Sequence, residues 1–352
     1  MEHRDIVHNR QHATLNQMLQ VMPSFLKEFF RGIADSKTSS TKLNYAYDLR
    51  NFFSYLVTEE VLFAGIELHA FSLADLSKVE TEHIENFLEY TTFYEKNYST
   101  AMHSDVTINR QNKEKGKSRK LTAIRIMYNY FIKKQKLINN PAEVVETPKL
   151  REKSITYLEV DETAKLLDRV EDGVSLTDKQ KKYHKQTRNR DLAIVTLLLG
   201  TGIRVSECVG ININHVSFET NTIKVIRKGG DEAIIYFGDE VADALGEYIK
   251  ERKDINVKEG HEDALFLSMQ NRRITERAVQ NMVKKYARDV SLKNISPHKL
   301  RSTFGTHMYR ETNDIYLVAS LLGHKDVNTT KKHYASMDEE RRRQAANALK
   351  LR

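Results

Sequence analysis

Ser-Pro-His-Lys-Leu-Arg occupies residues 296–301, Leu-Leu-Gly-His occupies residues 321–324, and Tyr334 follows shortly afterwards. Further upstream, residues 201–207 read Thr-Gly-Ile-Arg-Val-Ser-Glu and residues 227–230 read Arg-Lys-Gly-Gly. These motifs place cations, hydrogen-bond donors and one phenol in a fixed order along the chain. The members of this ordered series are Arg204, Lys228, His298, Arg301, His324 and Tyr334.

The side chains of this series match what cleavage of a phosphodiester needs when no metal takes part. The reaction requires a nucleophile, neutralisation of charge on the non-bridging oxygens, and a proton for the departing 5′ oxygen. Tyr334 can attack the phosphorus, although forming its phenolate at pH 7 costs about 4 kcal/mol unless nearby cations favour the anion. Arg204 and Arg301 suit a phosphate because each guanidinium presents paired donors and stays charged. Lys228 can protonate the leaving oxygen.

Local sequence signals predict how two of these side chains are presented. Ser296 is expected to cap a helix that Pro297 begins. Because residues three apart on a helix are neighbours, His298 and Arg301 would then share one face. Both side chains could therefore reach one phosphate.

Two further segments are predicted to present the remaining upstream cations. The apolar run 192–199 predicts a buried helix that ends at the glycines Gly200 and Gly202. Arg204 would then lie near the beginning of the next helix, where anions tend to bind. Residues 223–237 contain two β-rich runs joined by a glycine pair, which predicts a hairpin with a lysine near its tip.

Each motif taken singly has a more ordinary interpretation. A His-x-x-Arg pair is usually a surface or capping pair, Tyr334 could be a half-buried core aromatic, and Glu207 could be a solvated helix charge. Gly200-Thr-Gly202 lacks the third glycine of a nucleotide-binding loop and follows a helical pattern. Only the ordered set is specific.

The histidines could instead bind a metal, but no His-Glu-x-x-His motif or paired-cysteine spacing accompanies them. The sequence therefore predicts no metal and no cofactor. The histidines considered are His298, His307, His324 and His333.

Composition limits the class of protein. The chain has 352 residues, enough for two domains, and its formal net charge of +8 favours a polyanionic partner. Cys208 is the single cysteine, which excludes an internal disulfide and predicts a buried thiol. The N-terminus carries no signal-peptide core, and no apolar run reaches membrane-spanning length. We therefore expect a cytoplasmic protein without membrane insertion.

The chain is expected to be mainly helical and to contain two domains. Helical spacing of apolar residues predicts an N-terminal bundle over residues 1–147, and a charged segment at 148–156 predicts a linker. A second domain would then occupy residues 157–352. Residues 104–120 are expected to form an exposed loop or a helix extension.

A stripe of basic residues on a predicted helix at 118–136 suits the backbone of double-stranded DNA. Each residue alone could equally be part of a solvated face. The residues predicted to contact DNA are Arg119, Lys120 and Arg125, followed on the same helix by Lys133, Lys134 and Lys136.

These motifs resemble the active site of the tyrosine recombinases, and nearly the whole chain is similar to the Xer type. The charged segment at 104–120 and the N-terminal half look most like the XerS branch. The resemblance implies an N-terminal helical core-binding (SAM-like) domain and a mixed α-helical catalytic domain with a small β-sheet.

The resemblance also implies roles for residues. Arg204 and Arg301 would hold the scissile phosphate, and His298 and His324 would hydrogen-bond to it. Lys228 would be the general acid, and Tyr334 would form a 3′-phosphotyrosyl link. Glu207 would support the site.

The resemblance further implies a homotetramer on two DNA sites, whose protomers exchange C-terminal helices. It would resolve chromosome dimers at a dif-like site during cell division, assisted by the septal DNA translocase FtsK. The chain departs from the family pattern at Ser302, where relatives often have histidine, and at Arg227, where they often have glycine. Rival functions are an integrase or excisionase of a phage or mobile element, and a catalytically inactive DNA-binding protein.

Overall fold

The computed structural model describes residues 3–100, 103–110, 112–149, 155–174, 176–227, 229–288, 290, 293–324, 326–328 and 330–331, with the strand residues 94–100 and 103–110 described by their backbone. The chain divides into an N-terminal unit, Met1–Glu152, and a C-terminal unit, Lys153–Arg352. Each unit has its own hydrophobic core.

The N-terminal unit is built from helices and one two-stranded hairpin. Its elements are α1 (His3–Gln20), α2 (Leu26–Gly32), α3 (Ser39–Glu59), α4 (Leu73–Leu76), α5 (Thr81–Tyr90), β1 (Tyr94–Thr100), β2 (His103–Arg110) and α6 (Glu114–Lys133). The apolar residues predicted at helical spacing on α3 and α6 form the centre of the core. Phe52 and Phe131 are among the residues fully buried there, whereas Tyr45 is only partly buried. Aromatic rings packed edge to face, such as Phe25 against Phe53, fill this core.

Residues 104–120 were predicted to form an exposed loop or a helix extension; residues 114–120 do belong to α6, whereas residues 104–110 belong to the strand β2 of a β-hairpin. Strands β1 and β2 pair antiparallel, with Tyr94 opposite Arg110 and Tyr98 opposite Val106. Strand pairing satisfies backbone N–H and C=O groups, and the alternating apolar residues of 106–108 are typical of a strand. Helix α6 begins earlier than predicted, at Glu114, and ends at Lys133 rather than at residue 136.

The described part of the C-terminal unit is mainly helical and contains one small sheet. Its elements are α7 (Val160–Asp172), α8 (Asp178–Thr201), α9 (Val205–Gly210), β3 (Val216–Ser217), β4 (Thr222–Ile226), β5 (Glu232–Tyr236), α10 (Asp239–Lys253), α11 (Glu276–Tyr286), α12 (Pro297–Thr312) and α13 (Ile315–Leu322). The strands form an antiparallel sheet in the order β3-β4-β5. The predicted fold class, mainly α with a small sheet, is confirmed.

Helix α8 is held in place by burial at one end and by a charged cluster in its middle. Asp191 is 1% exposed and accepts hydrogen bonds from Thr187, from Arg190 and, at 2.9 Å, from the hydroxyl of Tyr286 on α11. Lys285 lies 3.4 Å from the same carboxylate, and burial lowers the pKa of this lysine. The cluster ties α11 to α8, whose C-terminal end leads into the candidate site.

Cys208 is buried, as predicted, and burial raises the pKa of its thiol. Among the helices that the structure describes, none has the length and hydropathy that crossing a bilayer requires.

Candidate active site

Arg204 lies at the beginning of α9, as the sequence predicted. Helix α8 ends at Thr201, and Gly202 follows in the left-handed conformation with φ of 62°, its N–H donating to the carbonyl of Leu198. The buried carboxylate of Glu207 accepts the backbone N–H of Arg204 at 2.8 Å and its Nη1–H at 2.9 Å. Glu207 therefore fixes both the backbone and the guanidinium of Arg204.

Arg301 connects two segments of the candidate site. Its side chain reaches from α12, where the residue is 5% exposed, and Nη1 donates to the carbonyl of Gly202 at 2.6 Å. Nη2 donates to the carbonyl of Leu322, the last residue of α13. These bonds bring the turn before Arg204 and the turn before His324 to one guanidinium.

His324 is oriented by a residue that the sequence analysis missed. Its Nδ1 lies 2.7 Å from Oγ1 of Thr330, a fully buried residue. When the hydroxyl donates to Nδ1, the neutral ring carries its proton on Nε2, which is the tautomer that can donate to a phosphate oxygen. The only sequence signal for Thr330 is its place shortly after the Leu-Leu-Gly-His motif.

His298 lies on the first turn of α12, three residues before Arg301, and is exposed where Arg301 is buried. Ser296 occupies the N-cap position and Pro297 begins the helix, as predicted. The predicted side-chain cap is wrong, because the hydroxyl of Ser296 makes no capping hydrogen bond. The helix begins through proline and backbone geometry alone.

The predicted hairpin at 223–237 is confirmed. Strands β4 and β5 pair antiparallel, and Ile226 stands opposite Glu232 at the last pair before the turn. Lys228, in this turn, lies outside the described residues, as do Tyr334 and the C-terminal segment 338–352 that was expected to exchange between protomers. The flanking residue Arg227 is described, and its guanidinium lies against Gly323, next to His324.

Among the basic residues predicted to contact DNA, Arg119, Lys120 and Arg125 have partners inside the N-terminal unit. Arg119 pairs with Asp48 at 2.9 Å, and its side chain remains 46% exposed. Lys120 is 2% exposed and lies 3.3 Å from the same carboxylate. A direct contact between Lys120 and DNA does not fit this burial.

Arg125 has a structural role in the same unit. Its guanidinium donates to the carbonyls of Ala142 and Val145 and to the hydroxyl of Thr147. These bonds hold the segment that follows α6 against this helix. The periodicity of the sequence could not distinguish such a clamp from a DNA contact.

The histidine His307 also has a structural partner. It lies 3.0 Å from the carbonyl of Leu158, while the backbone N–H of Leu158 donates to the hydroxyl of Thr303. The start of the C-terminal unit is thereby attached to α12. Within the described residues, no three His, Cys, Asp or Glu side chains form a group that could hold a metal ion.

Residues 157–341 match the profile of the Phage integrase family. The chain belongs to this family. As a phage integrase family member it is a tyrosine recombinase, an enzyme that cleaves and religates DNA at specific sites.

Relatives of the Xer type align along most of the recombinase chain. It is 34% identical over 337 residues to the tyrosine recombinase XerC of Caldanaerobacter subterraneus subsp. tengcongensis, which covers 92% of this chain and 86% of that protein. Identity to the tyrosine recombinase XerD of Oceanobacillus iheyensis is 29% over 302 residues, with 85% of this chain and 87% of that protein covered.

Solved recombinase structures share the fold. The XerH site-specific recombinase, crystallised in a post-cleavage complex with a palindromic difH substrate, matches with a TM-score of 0.63 at 20% identity and covers 91% of this chain and 82% of its own. A lambda integrase dimer bound to a COC′ core site gives a TM-score of 0.58 at 14% identity, covering 88% of this chain and 94% of that one.

Proposed function

We propose that this recombinase cuts and rejoins double-stranded DNA through a 3′-phosphotyrosyl intermediate formed by Tyr334. In the proposed assignment Arg204 and Arg301 hold the scissile phosphate, and His298 and His324 donate hydrogen bonds to it. Lys228 is the general acid.

The observation that carries this assignment is the pair of hydrogen bonds from Arg301 to the carbonyls of Gly202 and Leu322. A guanidinium has five N–H donors in a fixed plane, so two bonds to backbone also fix the direction of the others. The same bonds hold the Arg204 turn and the His324 turn together. A preorganised group of this kind stabilises the charge that develops on a phosphoryl transition state without reorganising.

The proposed reaction conserves the phosphodiester bond energy. The phenol of Tyr334 gives its proton to water as its oxygen bonds to the phosphorus, the bond from phosphorus to the 5′ oxygen breaks, and the ammonium of Lys228 protonates that oxygen. In the reverse direction the 5′ hydroxyl of another strand attacks the phosphorus and gives its proton to Lys228, and the tyrosine oxygen leaves and takes a proton from water. Neither direction consumes ATP.

The finer biological proposal is that the protein is of the XerS kind, works in the cytoplasm, and resolves chromosome dimers at a dif-like site. Support comes from the Xer relatives that align with both units and from the difH substrate named for the XerH structure. A homotetramer on two DNA sites would provide four copies of one active site for four strand cuts. FtsK is the proposed septal partner.

Replacing Tyr334 tests the chemistry. Tyr334→Phe should still retard a cognate DNA fragment on a gel but form no covalent protein–DNA adduct that survives SDS, because only the phenol oxygen is removed. Tyr316→Phe is the matched control, since Tyr316 lies 71% exposed on α13. An adduct formed by Tyr334→Phe would contradict the assignment.

A recombination assay tests the biological role. The purified protein should recombine plasmids that carry the terminus-proximal site of its host, and loss of the gene should give filamentous cells with unsegregated nucleoids. A requirement for a second recombinase, or a preferred site at the end of a mobile element, would instead support an integrase.

A further inference from the structure

Arg227 occupies a defined position at the base of the β4–β5 turn. Its backbone N–H donates to the carbonyl of Asp231 at 2.8 Å, and its own carbonyl accepts the N–H of Gly230 at 3.0 Å. Gly229 and Gly230 have φ angles of 112° and 101°, which side chains other than glycine rarely adopt. The backbone of Arg227 is therefore anchored to Gly230 and Asp231 on the other side of the turn.

The side chain of Arg227 reaches the end of a different element. A Cβ built on Gly323 would collide with Cζ and Nη1 of Arg227 and lie 2.8 Å from its Nε. Gly323 ends α13 in the left-handed conformation, with φ of 61°. The positive φ therefore favours glycine at this position, and the guanidinium of Arg227 occupies the space that a Cβ would take.

Electrostatics favour this contact. The carboxyl end of a helix carries a partial negative charge, which a cation such as an arginine stabilises. The carbonyl of Leu322 at the same helix end already accepts a hydrogen bond from Arg301. Arg227 and Arg301 therefore converge on the turn that leads directly into His324.

We propose that Arg227 is a positioning residue that latches the lysine turn onto the end of α13. The proposal rests on the proposed function, in which Lys228 is the general acid. The latch holds the hairpin tip at the His324 turn, so that the ammonium of Lys228 meets the 5′ oxygen of the phosphate that His324 binds. A glycine at position 227 could not make this contact.

The test separates positioning of the acid from direct stabilisation of the phosphate. Single-turnover cleavage is measured on one DNA with oxygen and one with sulfur at the 5′ bridging position, since a thiolate leaves without needing a proton. Arg227→Ala should slow cleavage of the oxygen substrate on the order of 10- to 100-fold, because a misplaced acid loses much of its effect. The sulfur substrate should restore most of the lost rate.

Two other variants serve as references in the same assay. Lys228→Ala should show the same pattern with a larger defect on oxygen. Lys224→Ala is the matched control, because Lys224 lies on β4 of the same hairpin and pairs with Glu232 across the strands at 2.8 Å. It should cleave both substrates at the normal rate.

A double-mutant cycle checks the contact without relying on chemistry at the phosphate. Gly323→Ala displaces Arg227 and strains the backbone, whereas in an Arg227→Ala background it only strains the backbone. Adding Gly323→Ala should therefore slow cleavage of the oxygen substrate by a smaller factor in the Arg227→Ala background than in the wild type. Retention of DNA-gel shifts by each variant controls for folding.

The possible outcomes are distinct. Normal cleavage by Arg227→Ala overturns the latch, and so does an equal defect on oxygen and sulfur, which would make Arg227 a phosphate ligand. Additive effects in the cycle also overturn it. A Lys228→Ala variant that sulfur does not rescue would instead refute the general-acid assignment of the proposed function.

Discussion

At the scale of single residues, the groups proposed to bind the phosphate are held by neighbours both inside and outside the recognisable motifs. Glu207 holds Arg204 within its own motif, three residues apart. Thr330 and the carbonyl of Leu322 hold His324 and Arg301 from other turns. A ring or guanidinium held by a buried partner loses little conformational freedom when it binds a phosphate.

Thr330→Val tests this support at the residue scale. The substitution keeps the shape of the buried side chain but removes the hydroxyl beside Nδ1 of His324, so the ring loses its fixed orientation and tautomer. We expect single-turnover cleavage to slow on the order of tenfold, while gel-shift affinity for DNA stays unchanged. Thr312→Val is the control, because the exposed Thr312 hydroxyl bonds to backbone rather than to a site residue, donating to the carbonyl of Met308 and accepting the N–H of Asp314. Equal rates for the two variants would contradict the proposed role of Thr330.

At the scale of elements, the site is assembled where helices end. Helices α8 and α13 each end at a glycine in the left-handed conformation, Gly202 and Gly323. The last carbonyls of a helix have no partner within it, and Arg301 donates to one carbonyl at each of these ends: that of Gly202 after α8 and that of Leu322 at the end of α13. The two glycines therefore end the helices and also form the turns that lead into Arg204 and His324.

Gly202→Ala tests this arrangement. A Cβ there would clash with the ring of Phe304, lying 3.0 Å from Cε1, and would occupy a φ of 62°. We expect a loss of about 1–3 kcal/mol in the free energy of unfolding, together with slower cleavage because the Gly202 carbonyl moves. Gly246→Ala, inside α10 with nothing within 4 Å of the new Cβ, should instead gain about 0.5–1 kcal/mol. Urea unfolding of both variants measures the difference, and shifts of the same sign would refute the argument.

At the scale of the whole molecule, a net charge of +8 favours DNA, but not every cation can contribute. Lys120 is buried against Asp48 and neutralises an internal carboxylate. Arg119 shares that carboxylate while its side chain stays partly exposed. The formal charge therefore overestimates the number of cations available to a phosphate backbone.

Lys120→Met separates folding from DNA binding. Removing one partner of a buried ion pair should lower the free energy of unfolding on the order of 3 kcal/mol. Where the variant is folded, the salt dependence of its DNA affinity should match the wild type, because no phosphate contact is lost. Lys136→Met, which breaks the exposed pair with Glu28, should cost at most about 1 kcal/mol. If the slope of log affinity against log salt concentration were reduced by about one for Lys120→Met, a direct contact of Lys120 with DNA would be supported instead.

The sequence alone determined those features that depend on short-range signals. The end of α8 at Gly202, the start of α12 at Pro297 and the β4–β5 hairpin were all predicted correctly. Glycine and proline restrict or extend backbone angles locally, and an alternating apolar pattern is read over a few residues. The ordered motifs also identified the family before any fold was known.

The tertiary structure alone decided which of these residues meet. The burial of Lys120, the missing cap at Ser296, the hold of Thr330 on His324 and the contact of Arg227 with Gly323 were not predictable from spacing. Each depends on partners that the packing of several elements brings together. Whether a charge or a hydroxyl stabilises or destabilises the fold depends on its burial and on its partner. Such pairings are properties of the folded chain, because no local pattern specifies which distant carbonyl, carboxylate or helix end a side chain will reach.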